Sequence, residues 1–196
     1  MEDHSPLWSF SQLILCADID RGKEHLEVYS VNATPSVDAI SQKDVLAIPT
    51  EELIHLFNYC LQNNKIPWAW LLSLLAAVPK KERDLTTPEN YYIIGLQSCL
   101  IKLLTLIIDF QVTKWMDNAD ILLCFQNSFQ HGNHTHNNSF LLCMAIDHAH
   151  AHGHILYMAF VDLKNAFLST DLSVLWSKLY HLSVGGPIYD WIQWMY

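Results

Sequence analysis

The stretch ILYMAFVDLKNAF, from Ile155 to Phe167, constrains the possible folds of this chain more than any other. Every side chain from Ile155 to Val161 is apolar or aromatic, so the run reads as a buried central strand. It then delivers a carboxylate, Asp162, with an aromatic, Phe167, five residues further on. A carboxylate where a hydrophobic strand ends can hold a metal ion against a phosphate. The same carboxylate can cap the following turn in solvent. Taken by themselves, the residues leave both readings open.

A chain of 196 residues can form one domain with a real core, or be a piece of a larger one. Apolar residues make up 51% and charged residues 16%, which excludes a disordered tail. The net charge of -9, with 11 Lys and Arg in total, argues against strong grip on nucleic acid, because phosphate contacts need cations. Cys16, Cys60, Cys99, Cys124 and Cys143 are widely spaced and include no CxxC pair, the pattern of reduced, mostly buried thiols rather than a disulfide framework or zinc knuckle. The opening MEDHSPLW lacks the basic start of a signal peptide, and the longest apolar segment, Trp68 to Val78, is well short of the roughly 20 residues a membrane-spanning helix needs. The expectation is an intracellular chain, cytoplasmic or nuclear, with no membrane association. In that setting the N-x-S/T triplets at Asn32, Asn133 and Asn137 stay unmodified.

Along the chain, residues 1–48 show no clear periodicity. FSQLILCADID fits a strand or a short helix, and VNATPSVDAIS reads as a loop broken by Pro35. From Pro49 the pattern sharpens: Thr50 can cap a helix with Glu51 and Glu52 in its first turn and Leu53, Ile54, Leu56, Phe57, Cys60 and Leu61 on its apolar face. Asn63 and Asn64 end it, and Pro67 marks the break. Trp68 to Val78 is expected as a strand or buried segment running into PKKERD, a turn whose basic pair can touch phosphate or simply sit in solvent. Tyr91 to Leu96 fits a short strand. Cys99 to Ile108 fits a helix continued by Val112 to Ala119, apolar on more than one face. Ile121 to Phe125 is a short apolar element, Gln126 to Asn138 a polar loop, and from Asn138 a helix is expected with Phe140, Leu141, Met144, Ala145 and His148 on its apolar side. Ser169 or Thr170 can cap a following helix through Leu179, and after the Gly185-Gly186-Pro187 turn Ile188 to Tyr196 starts another amphipathic helix. His131, His134 and His136 lie in the polar loop, while His148, His150, His152 and His154 alternate. Alternation shares one face only in an extended chain, and the residues before favour helix, so solvated histidines are expected rather than a metal site.

Several segments in order carry a resemblance. Pro67 and Trp70 precede VPKKERD from Val78, then PENYYIIGLQS from Pro88, KLL from Lys102, QNSFQHGNHT from Gln126, LYMAFVDLKNAF from Leu156, LWSKL from Leu175 and VGGPIYDWI from Val184. In order and spacing these resemble the reverse transcriptase domain of non-LTR (LINE-type) retrotransposons, whose corresponding motifs run PIPKKGD, NYRPISLLS, KLLE, QxGFRxGRST, LYxAFLDLKKAFDSV, LWxKL and GVxGxxxxWI. The resemblance implies a mixed α+β chain, with residues 49–196 forming the fingers and first palm elements of a right-hand polymerase and no thumb. It implies RNA-templated DNA synthesis with magnesium, on an RNA template and a DNA primer. Asp162 matches the first catalytic, metal-binding Asp of the palm. Phe167 matches the aromatic under the sugar that rejects a ribonucleotide, Lys80 and Lys81 match the basic pair of the fingers near the triphosphate, and Asn90 and Tyr91 match the start of NYRP. Gln126 and Phe129 fall in the template-side QxGF motif.

The departures bear on activity. Tyr92 and Ile93 stand where the family has Arg and Pro, which removes a bidentate phosphate clamp. Ser128 and Gln130 replace the Gly and first Arg of QxGFRxGRST, Asn133 and His134 replace its second Arg and its Ser, and Leu168 follows the Ala-Phe pair where the family has Asp. The family's YADD box does not occur in these 196 residues. Two-metal chemistry needs carboxylates from both segments, so the resemblance implies a polypeptide that is inactive alone. It also implies apolar palm surface that a protein partner would cover.

Overall fold

The computed structural model describes residues 13–29, 35–81, 84–123, 126–130, 132–163, 166 and 169–196. The chain is mixed α+β: helices α1 (Cys16–Tyr29), α2 (Gln42–Ala47), α3 (Thr50–Asn63), α4 (Trp68–Leu71), α5 (Cys99–Asn118), α6 (Thr135–Ala151), α7 (Leu172–His181) and α8 (Pro187–Met195), with strands β1 (Leu74–Pro79) and β2 (Tyr91–Leu96). Two compact units divide it, Met1–Thr113 with Ser173–Tyr196, and Lys114–Leu172.

The first unit holds most of the buried apolar side chains. The segment without clear periodicity supplies a full helix, α1, which settles FSQLILCADID toward helix from Cys16 onward. Ile14, Ile19 and Leu26 are all buried, and Val45 joins them from α2. Alpha2 is held at its start by a capping box: the Ser41 hydroxyl accepts from the Asp44 N–H, and the Asp44 carboxylate accepts from the Ser41 N–H at 2.8 Å. The Ser41 hydroxyl, donating to the Asp44 carboxylate at 2.6 Å, and after it the Ser41 N–H hold that carboxyl below its ordinary range.

In α3 the expected face buries Leu53, Phe57, Cys60 and Leu61, and Asn64 closes the helix in the left-handed conformation at φ 48°. Thr50 departs from its expected role. Pro49 occupies the cap position, Thr50 begins the helix proper, and its hydroxyl donates to Asp20 at 2.9 Å. Alpha5 follows its expectation, burying Cys99, Leu100, Ile101, Leu103, Leu104, Ile107 and Ile108 around more than one face. Alpha1 approaches it at Gly22, where a Cβ would meet Leu103 Cδ1 at 2.7 Å and Ile107 Cγ1 at 3.2 Å. Alpha8 closes the unit with Ile188, Tyr189 and Trp191 buried. Gly186, at φ 96° and ψ -176°, supplies the entry that a residue with a Cβ resists.

Three expectations about apolar segments are corrected in whole or in part, the strand expected within Trp68 to Val78 being present as β1. Trp68 to Val78 is one helical turn followed by an edge strand, and of its side chains Trp70 is the one buried, set edge-on to Phe57 at 6.2 Å between ring centroids. A two-stranded ribbon has no third layer on its faces, so a hydrophobic run placed in it stays exposed. The second correction concerns Ile155 to Val161, which is not a strand: residues 154–163 have no regular structure, and every one is exposed. A strand is made by its neighbours, and among the described residues no strand lies alongside to supply ladder hydrogen bonds. Helix α6 is the third. It begins at Thr135, three residues earlier than expected, and Phe140, Leu141 and Met144 are exposed, Ala149 being its buried residue. Among the described residues no helix is long and apolar enough to cross a membrane.

Candidate functional site

The candidate site residues fall into separate local settings. In the first unit, β1 and β2 pair antiparallel in the register Leu74 with Leu96 through Pro79 with Tyr91. That register sets the Val78-Pro79-Lys80-Lys81 end of one strand beside the Asn90-Tyr91-Tyr92 start of the other. The Lys80 N–H donates to the Asn90 carbonyl at 2.8 Å, and the Lys80 ammonium lies 5.1 Å from the centre of the Tyr92 ring. Such a placement attracts the cation to the ring face. Lys81 is exposed at the turn.

The loop that returns from Lys81 is braced by the residues that match the start of NYRP. Asn90 Nδ2 donates to the Asp84 carbonyl at 2.7 Å, and the Tyr91 hydroxyl donates to the Leu85 carbonyl at 2.9 Å. Asp84 in turn accepts from the Thr86 hydroxyl and from its N–H, and these two bonds, the hydroxyl first, lower its carboxyl pKa. Asn90 and Tyr91 therefore shape the turn that carries the lysines. Tyr92 provides the ring under Lys80 at the position where the family's motif has Arg. Its role was hidden in the sequence because the contact depends on strand register.

In the second unit, the QNSFQHGNHT segment forms an open, polar cleft of about 530 Å³ lined by Asn127, Ser128, Phe129, Asn133, His134 and Thr135, among others. Gln126 is exposed, its N–H donating to the Leu123 carbonyl at 2.9 Å. Phe129 is 81% exposed, and its backbone lies in the left-handed region at φ 62°. Asn133 accepts from Asn137 at 3.2 Å and donates to Gln130 at 2.8 Å, and Asn127 donates to Asn138. The cleft is thus held by side-chain amides, two of which, Gln130 and Asn133, stand where the motif it resembles carries arginines.

Asp162 sits exposed in the irregular 154–163 segment. Phe167 lies outside the described residues. Among the described residues no group of three or more His, Cys, Asp or Glu side chains is arranged to hold a metal ion. Of the carboxylates that a palm-type magnesium centre requires, Asp162 alone has a match, so the described residues do not make up that centre.

Comparison with protein-family models and with curated proteins finds no match for this chain.

Proposed function

We propose that this chain carries a reverse transcriptase-like domain, corresponding to the fingers and the first part of the palm of a right-hand polymerase, and that the 196-residue chain does not extend primers by itself. One observation supports the reading most directly. The two segments that the motif order assigns to the triphosphate side of the fingers, VPKK and NYY, are hydrogen-bonded to each other through Lys80 and Asn90, with Lys80 over Tyr92.

Chemically, Lys80 and Lys81 supply positive charge for phosphate at one edge of the hairpin. Against this stand the net charge of -9 and the loss of the clamp where Tyr92 and Ile93 stand. Asp162 supplies one of the carboxylates that a polymerase uses to position magnesium ions, and no Asp-Asp pair occurs in the sequence. Weak binding of an RNA template paired with a DNA primer, without turnover, is the expected behaviour.

Two measurements test this. Primer extension on an RNA template with magnesium or manganese should be undetectable, and extension abolished by Asp162→Ala would overturn the inactivity. Binding of an RNA–DNA hybrid should be detectable at low salt, and Lys80→Ala should lower the slope of log affinity against log salt by about 1. Absence of hybrid binding at low salt would remove the polymerase reading. The alternative is a non-catalytic remnant that binds protein, favoured by the exposed apolar run Ile155 to Val161.

A further inference from the structure

We propose that the run Ile155 to Val161 is a self-association strand, which pairs antiparallel with the same run of a second copy of this chain about a two-fold axis at Met158. The run has the backbone of an unfilled sheet edge. Past the His154 N–H, which donates to the Ala149 carbonyl at 2.9 Å, no backbone hydrogen bond is made from 155 to 161 among the described residues. All seven residues are exposed, with Tyr157 and Val161 at 87% and Phe160 at 82%. A stretch of this length that is apolar, uncharged and free of Pro and Gly has the composition that pairs with copies of itself.

The side chains select the register. An axis at Met158 sets Ile155 opposite the second copy's Val161, Leu156 opposite its Phe160 and Tyr157 opposite its Ala159, each pair occurring twice. A β-branched side chain meets another, an aliphatic one meets an aromatic, and the largest ring of the run meets its smallest side chain. Such cross-strand pairs are what stabilise an antiparallel ladder. The same register brings His154 opposite Asp162 at both ends, where an imidazole N–H can donate to the carboxylate. Both residues are exposed. A parallel arrangement would set Asp162 against Asp162, and like charges directly opposite are destabilising. Antiparallel pairing is therefore the arrangement that is complementary in charge.

The area also fits a second copy. The exposed residues of the run present roughly 900 Å², against the 800 Å² or so that each partner gives to an interface of standard size. In the same unit α6 leaves Phe140, Leu141 and Met144 exposed, which adds apolar surface. A two-stranded ladder is marginal by itself and covers only part of that surface, so the dimer is weak, with a dissociation constant on the order of micromolar. This gives the protein-binding alternative a specific partner and does not depend on the polymerase reading.

Sedimentation of the full chain over a range of concentrations tests the pairing. The parent chain should pass from monomer to dimer. Met158→Lys, at a half-exposed position, sets two ammonium groups face to face at the axis and should raise the dimer dissociation constant at least about tenfold. Ile93→Lys, at an exposed apolar position on β2, should dimerise like the parent. Asp162→Lys opposes His154 with a cation and should weaken the dimer, whereas His154→Asp/Asp162→Lys restores opposite charges and should recover it. Unchanged circular dichroism spectra tie these differences to the interface rather than to unfolding. A monomer at every concentration, a dimer indifferent to Met158→Lys, a double variant no tighter than Asp162→Lys, or assembly that continues past the dimer would each overturn the assignment. No nucleic acid enters the measurement, so its failure is separate from a failure of hybrid binding.

Discussion

Single residues in this chain divide between those whose chemistry follows from type and those whose setting decides it. The cysteines show the division. Cys60 and Cys99 are buried, Cys16 and Cys143 exposed. Burial pushes the Cys60 thiol up, and at Cys99 burial is again the main cause, opposed by Lys102 and reinforced by Asp38 and Asp44. The thiolate is the reactive form, so in the native protein a thiol reagent at mildly alkaline pH should label Cys16 and Cys143 rapidly and Cys60 and Cys99 slowly. Mass mapping of labelled peptides over time checks this; equal rates at all four would contradict the packing of α3 and α5. The cysteine spacing led to an expectation of mostly buried thiols, but two of the four described ones are exposed, because burial is set by which helix face carries each. Asp162 shows the converse, since its candidacy rests on its place in a motif while its side chain stands exposed in an irregular segment.

At the scale of elements, the sequence was most legible where local signals and burial agree. Alpha3 has acidic residues in its first turn, an apolar stripe and an Asn in the left-handed closing position, and all of these act as expected. Strand β2 and helix α5 likewise appear over the expected residues. The hydrophobic segments departed most: Trp68 to Val78 supplies the strand β1 but is largely exposed, and Ile155 to Val161 is neither strand nor buried, because an apolar run specifies burial without specifying by what. Alpha1 is the opposite case: its sequence pattern is weak, and it is defined by what it packs on. Gly22 makes that contact possible, and its replacement tests it. Gly22→Ala gains about 1 kcal/mol of helix propensity, which offsets much of the clash with Leu103. Gly22→Val gains less propensity and adds two methyl groups to a closed space, so it should destabilise the first unit by about 1–3 kcal/mol. Urea unfolding followed by far-ultraviolet circular dichroism measures the difference, and a neutral Gly22→Val would show that α1 and α5 are not in close contact.

On the scale of the whole molecule, the first unit is assembled from both ends of the sequence. Alpha8 contacts α3, and Trp191 and Ile188 are 0% and 1% exposed. The N-terminal helices α1 and α2 contribute core side chains of their own, so the segment with the weakest sequence signal is part of the folded unit. A chain stopped after Leu172 would lose α8 and most of α7. Losing Trp191 alone is comparable to a large-to-small core substitution, about 3–5 kcal/mol, a large share of the stability of a typical domain. That shortened chain should show no cooperative thermal transition in calorimetry, and a transition unchanged from that of the full chain would show that the first unit does not need its C-terminal helix.

By itself the sequence determined the helix and strand identities of α3, β2 and α5 and the set of residue types from which any site must be drawn, because capping, periodicity and side-chain chemistry act over a few neighbouring positions. Only the tertiary structure decided that Lys80 lies over Tyr92, that Gly22 faces Leu103, that His148 and His152 stack, and that Ile155 to Val161 stays exposed. Each of those depends on which distant or successive turns of chain meet, and a hydrophobic run, however strong its local preference, becomes a strand only when another strand satisfies its backbone.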